Sequence, residues 1–447
     1  MTDQVVTSVR DEGLANSAYL VDLGDGRALA VDACRDLRAL RRAAGARGLT
    51  IAFAADTHLH ADFLSGAVQL AADDGAQVVA SASGGREFPH LGLEDGQELD
   101  LGGLTLQAMT TPGHTDEHVA FLLRDDATTL GVFTGGSLIA GSAARTDLVD
   151  PDRTEELARA QYRSLRRLAE LDESVVVWPT HGGGSFCATS ATSAGGATTI
   201  GLERTTNPML NAADEEEFVR RMLGSLGSYP PYFLRLGEEN RRGPAVLPAA
   251  LSLEAVASYG EALVVDVRSP AAFAAGHPAG ALSIPLRPAF ASWLGWLAPN
   301  DRPLLLLRDP DQDLEEVLWQ AAKIGYTNFV GEIAGGLQTW TDAGLPVSSH
   351  EMRAAFPSHE AVVLDVRQES EFLAGHVPGA AHVELGSLAD EVPELPDGAV
   401  VVMCGHGERA STAASILRRS GFEDVTVLAG GPKEWVEAQG THLETGG

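Results

Sequence analysis

The 447-residue sequence predicts an α/β protein of several domains. Three observations carry that expectation. The C-terminal half repeats itself: "ALVVDVRSPAAFAAGHPAGALSIPL" (262–286) matches "AVVLDVRQESEFLAGHVPGAAHVEL" (361–385), and "IAGGLQTW" (333–340) matches "LAGGPKEW" (428–435). The repeat has the size of a domain rather than of a solenoid unit. Within each copy, apolar strand-like runs alternate with helix-like segments, the pattern of a parallel sheet covered by helices on both faces. Residues 1–185 read differently. Apolar runs there keep ending in polar clusters, as in "LTIAFAAD-THLHAD", "LQAMTTP-GHTDEH", "LGVFTGG-SL" and "SVVVWP-THGGGS". Strands of that kind deliver their loops to one sheet edge.

Taken in order, residues 1–245 form a first domain with a connector, 246–350 the first repeat and 351–447 the second. The connector holds a Ser/Thr/Ala/Gly stretch after residue 186, then "DEEEFVRRMLGSL", which predicts a helix, and the turn-rich "SYPPYF" and "ENRRGP".

Bulk properties narrow the function. Hydrophobic residues make up 44% and charged residues 21%, ordinary for a globular chain. The N-terminus lacks a basic-then-apolar leader pattern and no apolar run is long enough to span a bilayer, so a cytoplasmic location is expected. The formal net charge of −30 argues against nucleic acid and acidic membranes as partners. An anionic substrate would need a local positive centre. Three cysteines, Cys34, Cys187 and Cys404, are too few and too odd for a disulfide framework. Nothing in the sequence decides whether the chain works alone or as a homo-oligomer.

In "VVVMCGHGERASTAASILRRSG" (400–421) an apolar strand ends at Met403, and Cys404 opens a loop of Gly405, His406, Gly407 and Glu408 before a helix-like segment. A thiol there faces backbone N–H groups and a helix N-terminus, both of which stabilise a thiolate. Arg409 adds a positive charge for an anionic substrate. This segment, with "LDVRQESEFLAGHVPGA" before it and "GGPKEW" after it, resembles the rhodanese (sulfurtransferase) family across 351–447. The resemblance implies that Cys404 accepts a sulfane sulfur as a persulfide and passes it to a thiol, from donors such as thiosulfate. The four residues between Cys404 and Arg409 match the short, sulfur-sized loop. Asp365, Arg367 and His376 match family positions and are read as bracing the sheet. The first copy resembles the same family, but "LLLL" (304–307) runs into Arg308, Asp309 and Pro310 with no cysteine, which points to scaffolding or docking.

In the N-terminal part, His58, His60, Asp62, His114, His118 and His181 all fall at the ends of apolar runs. "HLHAD" sets alternate residues on one side of an extended loop, a spacing that suits a cation. "THLHAD", "TPGHTDEHVAF", "FTGGSLIAGSAARTDL" and "WPTHGGGS" resemble the metallo-β-lactamase superfamily in order, most of all persulfide dioxygenases and relatives fused to rhodanese domains. "TTIGLERTTNPML" suits that branch too. The resemblance implies an αββα sandwich with metal at one edge.

Two positions depart from that pattern. Phe63 stands where a two-metal member has histidine, and Gly136 where these enzymes carry aspartate. The expectation is one metal per chain. His58 and His114 are its core ligands, with His60 third and Asp62 the alternative; Asp62 and His181 are what remains of a second site. The resemblance puts iron(II) first; by donor chemistry a face of two histidines and a carboxylate suits iron and three histidines suit zinc at least as well, so zinc is the second expectation. Restoring Gly136→Asp is expected to tighten metal binding. Arg145, in "AARTDL", is either a contact for the carboxylates of a thiol cosubstrate or the partner of Asp147. The implied function is oxidation of a low-molecular-weight thiol persulfide to sulfite, coupled to sulfur transfer through Cys404. The alternatives are a mononuclear zinc thioester or ester hydrolase, and a sulfur carrier with a silent metal site.

Overall fold

A computed structural model describes residues 5–189, 196–258, 260–354, 362–389, 399–440 and 442–446. Part of the Ser/Thr/Ala/Gly stretch, 190–195, lies outside the described residues. The chain divides into two compact units, Met1–Ala249 with Ala322–Gly325, and Ala250–Ala321 with Tyr326–Gly447. Among the described residues, no helix is long and apolar enough to cross a membrane.

The first unit is built on two six-stranded sheets. One contains, in spatial order, β1 (Val6–Asp11), β2 (Asn16–Asp22), β3 (Arg27–Val31), β4 (Thr50–Ala55), β5 (Gln77–Ser81) and β6 (Leu91–Leu93). The other contains β7 (Glu98–Asp100), β8 (Leu104–Thr110), β9 (Val119–Asp125), β10 (Thr128–Gly135), β11 (Val176–Pro179) and β12 (Thr198–Thr199). Side-chain alternation explains why both must be covered twice. In β9, Val119, Phe121 and Leu123 point into a core shared with Tyr19, Leu29, Val31 and Phe53 of the first sheet. Ala120 and Leu122 point the other way, against Ala158, Leu165 and Leu168 of the helix Thr154–Leu168. In β3, Leu29 and Val31 face the shared core while Ala28 and Ala30 face Leu40, Ala44 and Leu70 of two helices. Strands apolar on both sides need a layer on each side. The result is the expected four-layer αββα sandwich.

The outer helices read as surface helices should. In Thr154–Leu168 the buried residues Leu157, Ala158, Gln161, Ser164, Leu165 and Leu168 share one face, Glu155 and Glu156 occupy the first turn, and Arg166 and Arg167 the last. The helix expected in the connector runs Glu215–Gly224, capped by Asp214, whose carboxylate accepts from the Glu217 N–H at 2.8 Å.

The second unit holds the two repeats, each with a parallel sheet. The first copy orders β15 (Leu282–Ser283), β13 (Leu263–Asp266), β16 (Leu304–Leu307) and β17 (Phe329–Glu332), with a separate pair β14 (His277–Pro278) and β18 (Val347–Ser348). The second orders β19 (Glu351–Arg353), β23 (Val425–Leu428), β22 (Val400–Met403), β20 (Val362–Asp365) and β21 (Ala381–His382). The quoted repeat makes the same contacts twice. Arg268 bonds Asp266 and the Gly276 carbonyl, and Arg367 bonds Asp365 and the Gly375 carbonyl. His277 stacks on Phe273 and His376 on Phe372, each with ring centroids 3.8 Å apart. These contacts persist in the copy without a cysteine. Asp365, Arg367 and His376 thus make contacts that do not depend on a thiol, in keeping with the bracing role expected of them.

Candidate metal centre and thiol loop

The histidines gather because four strands of the first unit release their chains at one edge. His58, His60 and Asp62 follow β4, His114 and His118 lie between β8 and β9, Gly136 follows β10, and His181 follows β11. Asp32, just past β3, ties this edge together. Its carboxylate accepts from the Thr57 N–H at 2.7 Å, from the Thr57 hydroxyl at 2.8 Å and from the Thr180 hydroxyl. Gln161 of the outer helix accepts from the His114 N–H at 2.9 Å and donates to the Ser137 carbonyl at 2.6 Å.

Hydrogen bonding orients His58, His114 and His181. His114 Nδ1 lies 2.7 Å from the Arg145 carbonyl, which can only accept, so Nδ1 carries the proton and Nε2 the lone pair. Asn16 donates its amide N–H to Asp62 at 2.6 Å, which turns its Oδ1 toward His181 Nδ1 at 3.0 Å. His181 Nδ1 therefore donates, and its Nε2 is a lone pair. The Thr57 hydroxyl gives its proton to Asp32, so His58 Nδ1, 2.9 Å from that oxygen, donates to it. Three imidazoles thus end in Nε2 lone pairs. His58 Nε2 and His181 Nε2 lie 3.5 Å apart, and His114 Nε2 is buried with no hydrogen-bond partner among the described residues. Facing lone pairs in a buried site repel unless a cation lies between them. Anchoring the far nitrogen to a carbonyl or carboxamide is also how proteins orient metal-binding imidazoles. The residues fit a divalent ion on these grounds.

Burial, then repulsion from the surrounding histidines, holds His58 well below the usual imidazole range. Burial pushes His114 down to about 3. For Asp62 burial acts upward, but His181, His60 and Asn16 outweigh it and hold the carboxyl at about 2.

The other expected residues are placed as follows. His60 Nε2 lies 3.3 Å from Asp32, and its ring stacks on the fully buried Phe63 with centroids 4.1 Å apart. An atom of His60 also comes within 4.8 Å of His58 and His181 ligand atoms. Asp62 lies 3.4 Å from His181 Nδ1, bracing that ring from behind. His118 is satisfied at both nitrogens, accepting from the Gly136 N–H at 3.0 Å and donating to the Thr111 hydroxyl at 2.8 Å. The Arg145 guanidinium is buried, paired with both Asp147 oxygens, bonded to the Phe186 and Gly227 carbonyls, and seated 4.4 Å from the Tyr229 ring. Of the two roles foreseen for Arg145, its partners support the ion pair; its carbonyl matters more, as the acceptor for His114. Cys187, not foreseen at this site, offers a sulfur within 4.8 Å of ligand atoms of His114 and His181.

The thiol loop sits in the second unit. Cys404 follows β22 directly, and the helix Glu408–Arg419 begins four residues later. Gly407, at φ +91°, turns the chain in the left-handed region and donates its N–H to Cys404 Sγ at 3.2 Å. A side chain at Gly431, from the second "GG", would meet the Cys404 carbonyl at 2.6 Å, so that motif packs the loop closed from below. Arg409 is gripped by Glu371 at 2.5 and 2.9 Å. The first copy has no counterpart: Arg308 bonds the Gln312 carbonyl at 2.6 Å and Glu332 at 2.9 Å, filling the space within its own loop.

That copy nonetheless reaches the thiol helix. Ser283 meets Ser415 and Ser411 at 3.1 Å each, and Arg419 donates to the Gly280 carbonyl at 2.7 Å. Four residues past Ser283, Arg287 lies within electrostatic reach of Cys404, Glu408 and Arg409. Burial, with the like charge of Arg409, holds its guanidinium below the usual range despite Glu408 and Cys404. Comparing the repeats alone could not find Arg287, because the charges that act on it belong to the other copy.

The chain is similar to known proteins in separate parts. The metallo-beta-lactamase superfamily matches residues 11–181, and the rhodanese-like domain matches 251–343 and again 348–438. A hydroxyacylglutathione hydrolase of Methylococcus capsulatus is 31% identical over 209 residues, 46% of this chain and 74% of that protein. A mitochondrial persulfide dioxygenase of Homo sapiens is 31% identical over 186 residues, 41% of this chain and 65% of that protein. A thiosulfate sulfurtransferase of Pseudomonas fluorescens is 35% identical over 97 residues, 22% of this chain and 89% of that protein. Among solved structures, a metallo-beta-lactamase from Staphylococcus aureus superposes with a TM-score of 0.67 at 27% identity, covering 73% of this chain and 98% of that one.

Proposed function

For a chain that belongs to the metallo-beta-lactamase superfamily in its N-terminal part and carries two rhodanese-like domains after it, we propose an enzyme of persulfide metabolism that handles one sulfane sulfur at two sites. The carrying observation is their coexistence: a cysteine whose sulfur accepts the Gly407 N–H at the head of a helix, and a unit that sets His58 and His181 Nε2 face to face and buries an unpartnered His114 Nε2. Tethering both on one chain raises the effective concentration of a short-lived intermediate.

At the thiol loop, the Cys404 thiolate attacks the outer sulfur of thiosulfate. The S–S bond breaks, sulfite leaves with the electron pair, and Cys404 holds a persulfide. A thiolate acceptor then attacks that outer sulfur and regenerates the Cys404 thiolate. Gly407 stabilises the anionic sulfur, and Arg409 together with Arg287 supplies positive charge for the dianion.

In the first unit, His58, His114 and His181 would hold one iron(II), with His60 within 4.8 Å of His58 and His181 and Asp62 behind His181. Iron bound there would supply redox chemistry toward dioxygen. The net reaction consumes one thiol persulfide, one dioxygen and one water, and yields the thiol, sulfite and two protons. The chain's residues hold His58 and His114 neutral, set the Nδ1 hydrogen bonds of all three rings and bury the site. A second reading, a zinc thioester hydrolase, is favoured by the likeness to the hydroxyacylglutathione hydrolase.

Two measurements test the proposal. Intact mass after thiosulfate treatment should show one added sulfur, lost in Cys404→Ser. Elemental analysis of protein produced with both metals supplied should find one iron per chain; one zinc supports the hydrolase instead.

A further inference from the structure

We infer that Cys187 is a metal ligand, its thiolate replacing the carboxylate that has no place at position 136. Three observations lead there. The first is at Gly136 itself. A Cβ built there would lie 2.4 Å from His114 Cδ2, closer than real contacts allow, and a tight 3.1 Å from Ala144 Cβ, so the His114 ring stands at the start of any side chain at that position. An anionic side chain from that loop would require the His114 ring to move.

The second is the setting of Cys187. It is fully buried, and its sulfur lies within 4.8 Å of ligand atoms of both His114 and His181. A buried cysteine is usually a small apolar filler. This one stands beside two imidazoles, and since burial and then Asp62 push its thiol above the usual range, a cation between them is what would hold it as a thiolate.

The third is that the backbone holds Cys187 and His114 as one piece. The Cys187 carbonyl accepts from the Arg145 N–H at 2.8 Å, and the Arg145 carbonyl accepts from His114 Nδ1 at 2.7 Å. Ala144 and Ala188 form a bridge alongside, and the Ser185 hydroxyl accepts from the Cys187 N–H at 3.2 Å. His114 Nε2, buried and unpartnered, completes the set as an aimed lone pair.

The ligands are then His114, His181 and the Cys187 thiolate, with His58 facing His181. One negative charge is kept, now on sulfur, a donor set that suits iron(II), cobalt(II) or zinc. This deepens the metal reading proposed above and rests on it.

Cobalt(II) is the probe. The metal-free full chain is titrated with one equivalent of cobalt(II), and the absorption spectrum is read for visible ligand-field bands and for the near-ultraviolet thiolate-to-cobalt charge-transfer band. Both are expected in the wild type and in Cys34→Ser/Cys404→Ser, where Cys187 is the sole thiol. The charge-transfer band is expected to vanish in Cys187→Ser. If Cys187→Ser does not fold by circular dichroism, the double variant decides alone, because a thiolate band there can come only from Cys187. Ligand-field bands without the charge-transfer band overturn this inference and leave the metal reading standing. A charge-transfer band that persists in folded Cys187→Ser also overturns it. No cobalt bands at all overturn both.

Discussion

His58 Nε2 and His181 Nε2 face each other at 3.5 Å, and the other nitrogen of each ring is already a hydrogen-bond donor. Two lone pairs held that way form a cation site whose orientation depends on the groups behind the rings. Asn16 is the most exacting of these, since it fixes both His181 and Asp62. Asn16→Leu should weaken metal binding about 10–100-fold while leaving thiosulfate turnover by Cys404 unchanged. Chelator competition reads the first effect and a sulfurtransferase assay the second. Unaltered affinity would show that Asn16 does not orient the site.

At position 136 the geometry reverses an expectation drawn from the sequence. Gly136→Asp was expected to restore a ligand and tighten binding. Its Cβ would instead press on the His114 ring at 2.4 Å. Gly136→Ala should destabilise the first unit by about 1–3 kcal/mol in denaturant titrations, and both variants should bind metal more weakly than wild type. Tighter binding by Gly136→Asp would mean that the ring yields and the carboxylate coordinates.

In the second unit, Cys404→Ser should abolish thiosulfate-dependent transfer, while Cys34→Ser and Cys187→Ser retain it. Arg287→Ala should raise the KM for thiosulfate several-fold with little change in kcat, and Arg287→Lys should restore part of the loss. If Arg287 serves only to pack the two copies together, the melting temperature will fall and KM will not move.

Acid should loosen the Arg409 contact. Burial acts to raise the Glu371 carboxyl, but Arg409 outweighs it, so its value in the folded protein lies below the ordinary 4.5. A depressed carboxyl contributes stability that is present above its unfolded value and lost as pH falls through the folded one. Below pH 4.5 the melting temperature of wild type should therefore decline more steeply than that of Glu371→Gln. Parallel declines would show that the pair contributes nothing measurable.

The layers of the fold were legible because they rest on local patterns. Alternation in segments such as Val119–Leu123 fixes which side chains meet which core, and the duplicated "DVR" and "AGH" elements announce a repeated unit. Cys404 was legible for the same reason, since its loop and helix are contiguous. The metal centre was legible only as a gathering of histidines. Which of them presents a lone pair depends on Asn16, 165 residues from His181, and on the carbonyl of Arg145, 31 residues from His114. His60 was read as a ligand by spacing; in the fold it keeps a ligand atom within 4.8 Å of His58 and His181, while its Nε2 also lies 3.3 Å from Asp32, a neighbour the spacing did not reveal. Cys187 sat six positions past His181 in the same loop, and its proximity to His114 appears only once β8 and β11 bring their ends together.

The central claim is that the first unit oxidises a persulfide, and oxygen consumption by iron-loaded full-length protein with a low-molecular-weight thiol persulfide tests it most directly. The account predicts uptake with one sulfite formed per dioxygen, lost in His114→Ala and retained in Cys404→Ser. No uptake by protein shown to hold iron, or uptake undiminished in His114→Ala, would contradict it.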